Sequence, residues 1–265
     1  MQPYRIIDTH THLYGEAFEK DLADVLARAT ESGILYMLLP NIDKSTFAEF
    51  KASVQQFPEI LLPMIGLHPT SVNDSYREEL SFVRDELRSP SFPKYYGVGE
   101  VGLDYYWDKT FKRYQQEAFA TQIEWAKEYN LPLSIHTRSA VEDAIDIYKE
   151  AGEGKCTGSF HSFTGTAGEL KRIEQETNAF IGINGVVTFK NSDLRDFLAR
   201  TMPIERVVIE TDAPYLAPVP FRGKRNEPSY LNRIISELSL IYRKPEAEVS
   251  EQLLVNSLKL FNLGT

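Results

Sequence analysis

Residues 6–13 read Ile6-Ile7-Asp8-Thr9-His10-Thr11-His12-Leu13, a short β-rich run that ends in a carboxylate and two histidines. In an extended chain residues i and i+2 project to the same side, so His10 and His12 share a face, with Asp8 deeper on it. A lone histidine in such a place is ordinarily a core residue with a satisfied hydrogen bond. A histidine pair at this spacing is also a metal-ligand pattern. What decides between them is whether other ligand-bearing strand ends reach the same point.

Reading outward, the pattern recurs. Candidate strands are Arg5–Asp8, Ile34–Leu39, Ile60–Gly66, Tyr95–Gly99, Pro132–Ile135, Thr157–Phe160, Ala179–Ile183 and Arg206–Glu210. Between them apolar residues return at helical spacing, as Phe119, Ile123 and Ala126 do. Eight strand–helix repeats predict an α/β chain forming a single (β/α)8 TIM-like barrel domain over residues 1–265, with a doubly wound sheet as the competitor. In a barrel the C-terminal strand ends ring one mouth. All five histidines fall there: His10 and His12 after the first strand, His68 after the third, His136 after the fifth and His161 after the sixth. Glu100 ends the predicted fourth strand and Asp212 the eighth.

His10, His12, Glu100, His136, His161 and Asp212 suffice for two divalent metal ions with one carboxylate between them. Asp8 is then a candidate to support a ligand from behind. Paired ions activate water and stabilise charge on an attacked phosphoryl or carbonyl oxygen. Imidazole-rich coordination favours Zn²⁺, Mn²⁺ or Fe²⁺ over Mg²⁺, whose preferred ligands are oxygens.

Composition limits the alternatives. With 29 basic against 38 acidic residues the formal charge is −9, which argues against coating duplex DNA through bulk positive charge. One cysteine, Cys156, excludes an internal disulfide framework and suggests a reducing compartment. No signal peptide or membrane-spanning run is apparent, so a cytoplasmic protein is expected, with no membrane and no obligate protein partner. The segment Ala217–Pro228 (APVPFRGKRNEP) breaks the pattern with prolines and cations and reads as a functional loop. Its Arg222, Lys224 and Arg225 lie after the last strand, where this fold often binds phosphate. Arg138, two residues past His136, is a further phosphate contact or a structural ion pair. Tyr105, Tyr106, Trp107 and Phe163 either pack loops onto the rim or stack unpaired bases.

Two features are decoys. Gly97–Gly102 spells GxGxxG, but residues 103–108 make a poor helix where a dinucleotide motif needs one. Cys156 lies before the sixth strand, far from the histidines, and reads as a small buried residue. Neither a GxSxG elbow nor a CxxC pair is present.

The motifs DTHTHL (8–13), GLHP (66–69), GEVGLDYY (99–106), IHTR (135–138), FHSF (160–163), ETDAPYLAP (210–218), RGKRNEP (222–228) and NSLKLF (256–261) resemble, in that order, the TatD family of metal-dependent hydrolases in the amidohydrolase superfamily. The resemblance implies a TIM-like barrel acting as a divalent-metal-dependent deoxyribonuclease, often a 3′→5′ exonuclease. It implies that His10 and His12 hold one ion, that His136 and His161 hold the other, and that Glu100 bridges them. Asp212 would contact the first ion and take the proton of the attacking water, and His68 would touch substrate. No ligand position departs from the family pattern. The family's usual description with Mg²⁺ conflicts with four imidazoles, which leaves Zn²⁺, Mn²⁺ and Mg²⁺ as candidates. The expected substrates are DNA ends, single-stranded or frayed, with RNA a second possibility, held partly by His68, Arg138, Arg222 and Lys224. A superfamily hydrolase of a small amide, ester or lactone is the main rival, and a barrel that binds without chemistry is the other.

Overall fold

The computed structural model describes residues 4–264. Its strands are β1 (Ile6–Asp8), β2 (Ile34–Pro40), β3 (Leu61–Met64), β4 (Val98–Asp104), β5 (Leu133–Arg138), β6 (Gly158–Phe160), β7 (Phe180–Ile183) and β8 (Val207–Ile209). All pair in parallel, in two ladders ordered β1-β2-β3 and β4-β5-β6-β7-β8. Backbone bonds span both seams: Gly99 N–H donates to Ile65 O at 2.9 Å, and Thr9 N–H donates to Ile209 O at 3.1 Å. The strands thus follow one another around a barrel in sequence order, the arrangement the strand–helix repeats predict.

The helices α1 (Leu22–Glu31), α2 (Phe47–Gln56), α3 (Tyr76–Arg88), α4 (Lys112–Tyr129), α5 (Val141–Gly152), α6 (Ala167–Glu176), α7 (Leu194–Thr201), α8 (Leu231–Tyr242) and α9 (Glu246–Leu260) cover the outside. None is long and apolar enough to cross a membrane. The stripe expected in α4 is real, since Phe119, Ile123 and Ala126 are all buried.

Strand alternation sorts the core into two parts. Val101, Leu103, Leu133, Ile135, Phe160, Ile181, Val207 and Ile209 belong to the large cluster between strands and helices. Ile7, Leu38, Leu62, Met64, Phe180 and Val208 form a smaller cluster, joined by Leu260 and Phe261 from the end of α9. With the odd positions Val101, Leu103, Leu133 and Ile135 packed on the helices, Glu100, Gly102, Asp104, Ser134 and His136 turn to the opposite face of the same strands.

Two expectations need correction. Glu100 does not end its strand, because β4 runs from Val98 through to Asp104; likewise His136 lies within β5. Glycines at 99 and 102 within this strand relieve crowding and allow β4 to approach β5. A Cβ on Gly99 would come within 2.7 Å of the Ser134 Cβ, and one on Gly102 would overlap the His136 carbonyl oxygen. The pairing slips between Val98 and Val101, so the Glu100 side chain emerges from an irregular rung. The dinucleotide reading of these glycines fails with the same observation, since α4 begins only at Lys112.

Gly102 and Gly154 both have positive φ, 131° and 69°, but only Gly102 is crowded. Gly154→Ala should cost about 1 kcal/mol of backbone strain, whereas Gly102→Ala should cost several-fold more by forcing β4 from β5. Thermal and urea unfolding of the two variants measure the difference; equal losses would mean that crowding at 102 is unimportant.

Candidate metal centre

The inner face ends in a cluster built around one carboxylate. Glu100, 3% exposed, presents Oε1 to His161 Nε2 at 2.8 Å, His136 Nδ1 at 2.9 Å and His68 Nε2 at 3.2 Å. Its Oε2 faces His10 Nε2 at 3.3 Å and His12 Nε2 at 3.4 Å. Asp212 Oδ1 approaches from β8, 3.5 Å from His12 Nε2 and 3.8 Å from His10 Nε2. Every ligand candidate named from the sequence therefore meets at this one place. His68, expected to touch substrate, lies as close to Glu100 and His136 as the others do, and those three could themselves hold an ion.

The far side of each ring decides what the near side offers. Tyr14 donates its hydroxyl proton to Pro40 O at 2.9 Å, so it accepts from His12 Nδ1–H at 3.0 Å. Asp104 Oδ2 accepts from His136 Nε2–H at 3.0 Å. These acceptors leave lone pairs on His12 Nε2 and His136 Nδ1, facing inward. Each then points at a second ring nitrogen, His10 Nε2 at 3.2 Å and His161 Nε2 at 3.3 Å respectively. His10 Nδ1 lies 2.8 Å from Ser134 Oγ, and His161 Nδ1 is 3.5 Å from Glu210 Oε1 without a hydrogen bond.

Nitrogen lone pairs aimed together beside a carboxylate repel one another unless a cation or protons lie between them. The spacing also matches a shared ion: ligands at 2.0–2.1 Å in a tetrahedron are about 3.3–3.4 Å apart. The residues present thus fit a divalent metal in both number and chemistry. Without one, protons must occupy the space. Burial alone would raise the Glu100 carboxyl, yet His68, His161 and His10 hold it well below the usual carboxylate range. Burial alone would lower His161, but Glu100 and Glu210 push it up to about 10. Burial likewise opposes charge on His12, which Tyr14, Asp212 and Glu100 nevertheless raise well above the imidazole range. His10 goes the other way, lowered by burial and by the neighbouring His161. Asp212, despite burial, is held below its ordinary value by His12 and His10 and stays ionised at neutral pH.

Sequence reading missed the residues that grip the rings from behind. Asp104 and Ser134 are each displaced by an even number of residues from a recognised ligand on the same strand, so period-two spacing could have found them, while Glu210, just past the end of β8, accepts from the Ser162 N–H beside His161. Tyr14 is two residues past His12. Asp8, expected behind a ligand, instead supports the backbone, accepting from Thr211 N–H at 3.0 Å and His10 N–H at 3.3 Å.

The candidate substrate residues divide. Arg222 and Lys224 are exposed in the loop after β8, Arg222 with its guanidinium 4.3 Å above the Phe189 ring. Arg225 is tied to Asp21 at 2.5 Å, which makes it a structural cation and corrects its place in the phosphate cluster. Arg138 is exposed and makes no ion pair among the described residues; its guanidinium lies 3.9 Å from the Tyr106 ring centre. Of the aromatics, Tyr105 and Phe163 are buried, while Tyr106 and Trp107 are exposed. Cys156 is buried, its thiol raised to about 11 by desolvation, as expected of a residue without chemistry.

A family model described as TatD related DNase matches residues 7–262. The metal-dependent hydrolase YabD of Bacillus subtilis is 35% identical over 98% of this chain and 100% of its own length. The protein of Erwinia tasmaniensis named 3′-5′ ssDNA/RNA exonuclease TatD is 30% identical, covering 97% of this chain and 100% of that one. The crystal structure of YjjV, a TatD homologue from Escherichia coli, superposes with a TM-score of 0.86 at 30% identity, covering 98% and 99% of the two chains.

Because the metal-free site keeps protons that an ion must displace, loading should release protons at pH 7 and affinity should rise between pH 6 and 9. Titration calorimetry with Zn²⁺ or Mn²⁺ in buffers of different ionisation enthalpy reads both. Tyr14→Phe and Asp104→Ala should weaken binding roughly 10- to 100-fold by freeing His12 and His136 to turn. Unchanged affinity in both variants would remove these residues from the centre.

Proposed function

This chain belongs to the TatD-related DNase family and is a metal-dependent hydrolase, and we propose that it is a phosphodiesterase acting on single-stranded or frayed DNA ends in the 3′→5′ direction, with RNA as a second substrate. The observation that carries the proposal is the double-faced arrangement of Glu100. One of its oxygens meets His10 and His12, the other His136 and His161, which divides the ligands into two sets joined by a single carboxylate. The substrate class is supported by the Erwinia relative's name and by cations on the same mouth.

His10, His12 and Asp212 would hold one ion, His136 and His161 the other, and Glu100 both. Divalent ions bound there would supply Lewis-acid polarisation of the phosphodiester and an acidified water. The chain's own groups then do three things. Asp212, ionised at neutral pH and on the edge of the cluster, accepts the proton of the attacking water. His68 Nε2 faces the same carboxylate and lies where it can touch a non-bridging oxygen. Arg222 and Lys224 approach from the β8 loop to offset charge accumulating on phosphorus, the arginine through its planar fork. Two dications would also offset four of the nine net negative charges, all of it at the mouth.

Labelled single-stranded, recessed and blunt oligonucleotides, assayed metal by metal, test this reading, with p-nitrophenyl acetate as control. Single-stranded 3′ ends should be degraded faster than recessed or blunt ones, and chelation should stop it. Glu100→Ala should abolish turnover while circular dichroism shows the barrel intact. Arg222→Ala with Lys224→Ala should lower phosphodiester turnover at least 10-fold more than ester turnover. Activity on the ester alone would instead favour a small amide, ester or lactone hydrolase.

A further inference from the structure

Surface exposure of large apolar side chains is uneven. Among the described residues six such side chains are strongly exposed: Tyr106, Trp107, Tyr215, Val219, Leu240 and Val255. The first four lie in the loops after β4 and β8, which border the metal centre. Tyr106 and Trp107 are 58% and 70% exposed, although neighbouring Tyr105 is buried and bonded to Asp143 at 3.0 Å. Loop packing therefore accounts for Tyr105 and leaves the next two rings unexplained.

Those rings are held in a defined arrangement. They stand at 88° with centres 5.1 Å apart. The Arg138 guanidinium fills the corner, 3.9 Å from the Tyr106 centre and 5.1 Å from that of Trp107. Asp104 Oδ1 accepts from the Tyr106 N–H at 2.9 Å, while its other oxygen accepts from His136. One carboxylate thus fixes both a candidate metal ligand and the start of the aromatic loop, and Gln115 anchors the Asp104 N–H at 2.9 Å. A hollow of about 150 Å³ bounded by Pro69, Thr70, Trp107 and Phe111 reaches down to Asp104.

We propose that Tyr106, Trp107 and Arg138 form a stacking subsite for an unpaired nucleobase next to the phosphodiester held at the metal centre. The proposal rests on the phosphodiesterase reading above and deepens it. An exposed ring presents a π-face that any base can cover, and a guanidinium beside it adds cation–π attraction and a counter-charge for the backbone. A paired base has both faces covered within the duplex and cannot use the corner. Trp107 is the principal face, being the more exposed ring and the farther from Arg138. Arg138 accordingly acts by flanking the base and holding Tyr106.

The test uses the full metal-loaded chain and single-stranded oligonucleotides whose last two nucleotides either carry bases or are abasic. The wild-type protein should prefer base-bearing ends through KM. Trp107→Ala should raise KM for those ends roughly 5- to 150-fold and erase the preference, with kcat little affected. Trp107→Phe should restore most of it, which a merely structural role for the indole would not predict. Independently, Trp125→Phe leaves Trp107 as the only tryptophan, and its fluorescence should be quenched by base-bearing but not abasic strands. A preference that survives in Trp107→Ala, or fluorescence indifferent to bases, would overturn the subsite. Failure of the wild-type protein to cleave any oligonucleotide would instead overturn the phosphodiesterase reading, with the fluorescence measurement still deciding on the platform by itself.

Discussion

Glu100 is the constraint on which the inner structure turns. A carboxylate 3% exposed has five imidazole nitrogens within 3.4 Å, distributed over both oxygens. Burying that many basic groups beside one acid is unfavourable unless positive charge is shared among them. The surrounding sequence meets the steric side of this demand with glycine. Gly99 and Gly102 let β4 press against β5, and a Cβ on Gly182 would overlap the Glu210 carboxylate. Gly99 and Gly102 cannot be traded for alanine without moving a ligand-bearing strand, whereas alanine at 182 would displace the Glu210 carboxylate.

Depth along the strands separates stability from chemistry. The small inner cluster of Ile7, Leu38, Leu62, Phe180 and Val208, joined by Leu260 and Phe261, is apolar. Next come buried polar residues, Ser134, Ser159 and Glu210, and then the ligands. Ser134 meets the outer nitrogen of His10, and Glu210 accepts from the Ser162 N–H beside His161. Ring orientation is therefore set by β4 and β5 for His136 and His10 and by the loop residue Tyr14 for His12, which suits a site whose geometry must hold before an ion arrives.

Much of this was legible in the chain, and the exceptions have physical causes. Histidines spaced around predicted strand ends are a long-range signal, because parallel strands in sequence order bring their ends together whatever the loops do. The same signal failed for Glu100 and His136 as boundary markers. Glycine ordinarily weakens a strand, and only the crowding against β5 reveals why it is required in β4. Asp104, Ser134 and Glu210 escaped notice because each is an ordinary residue type whose role appears only when its partner ring is placed. Arg225 misled for the opposite reason. It sits in a cationic run, but Asp21, 204 positions away in sequence, claims it.

The contrast between floor and rim bears on what can react here. The ligands are nearly sealed, His10 wholly so, while Tyr106 and Trp107 leave more than half their surface to solvent. A substrate that uses both must combine a slender charged group able to reach the floor with a flat apolar body that stays at the rim. A terminal nucleotide has that form, since its phosphodiester is narrow and its base planar. The interior of a duplex does not, because its bases are covered and its width keeps the phosphates from the floor. The net charge of −9 points the same way. A surface with this net charge penalises contact over many nucleotides more than contact over a few, and the exposed Arg222 and Lys224 of the loop after β8 offer local positive charge for the few. On the phosphodiesterase reading proposed above, shape and charge would therefore select the same feature of a nucleic acid, its end.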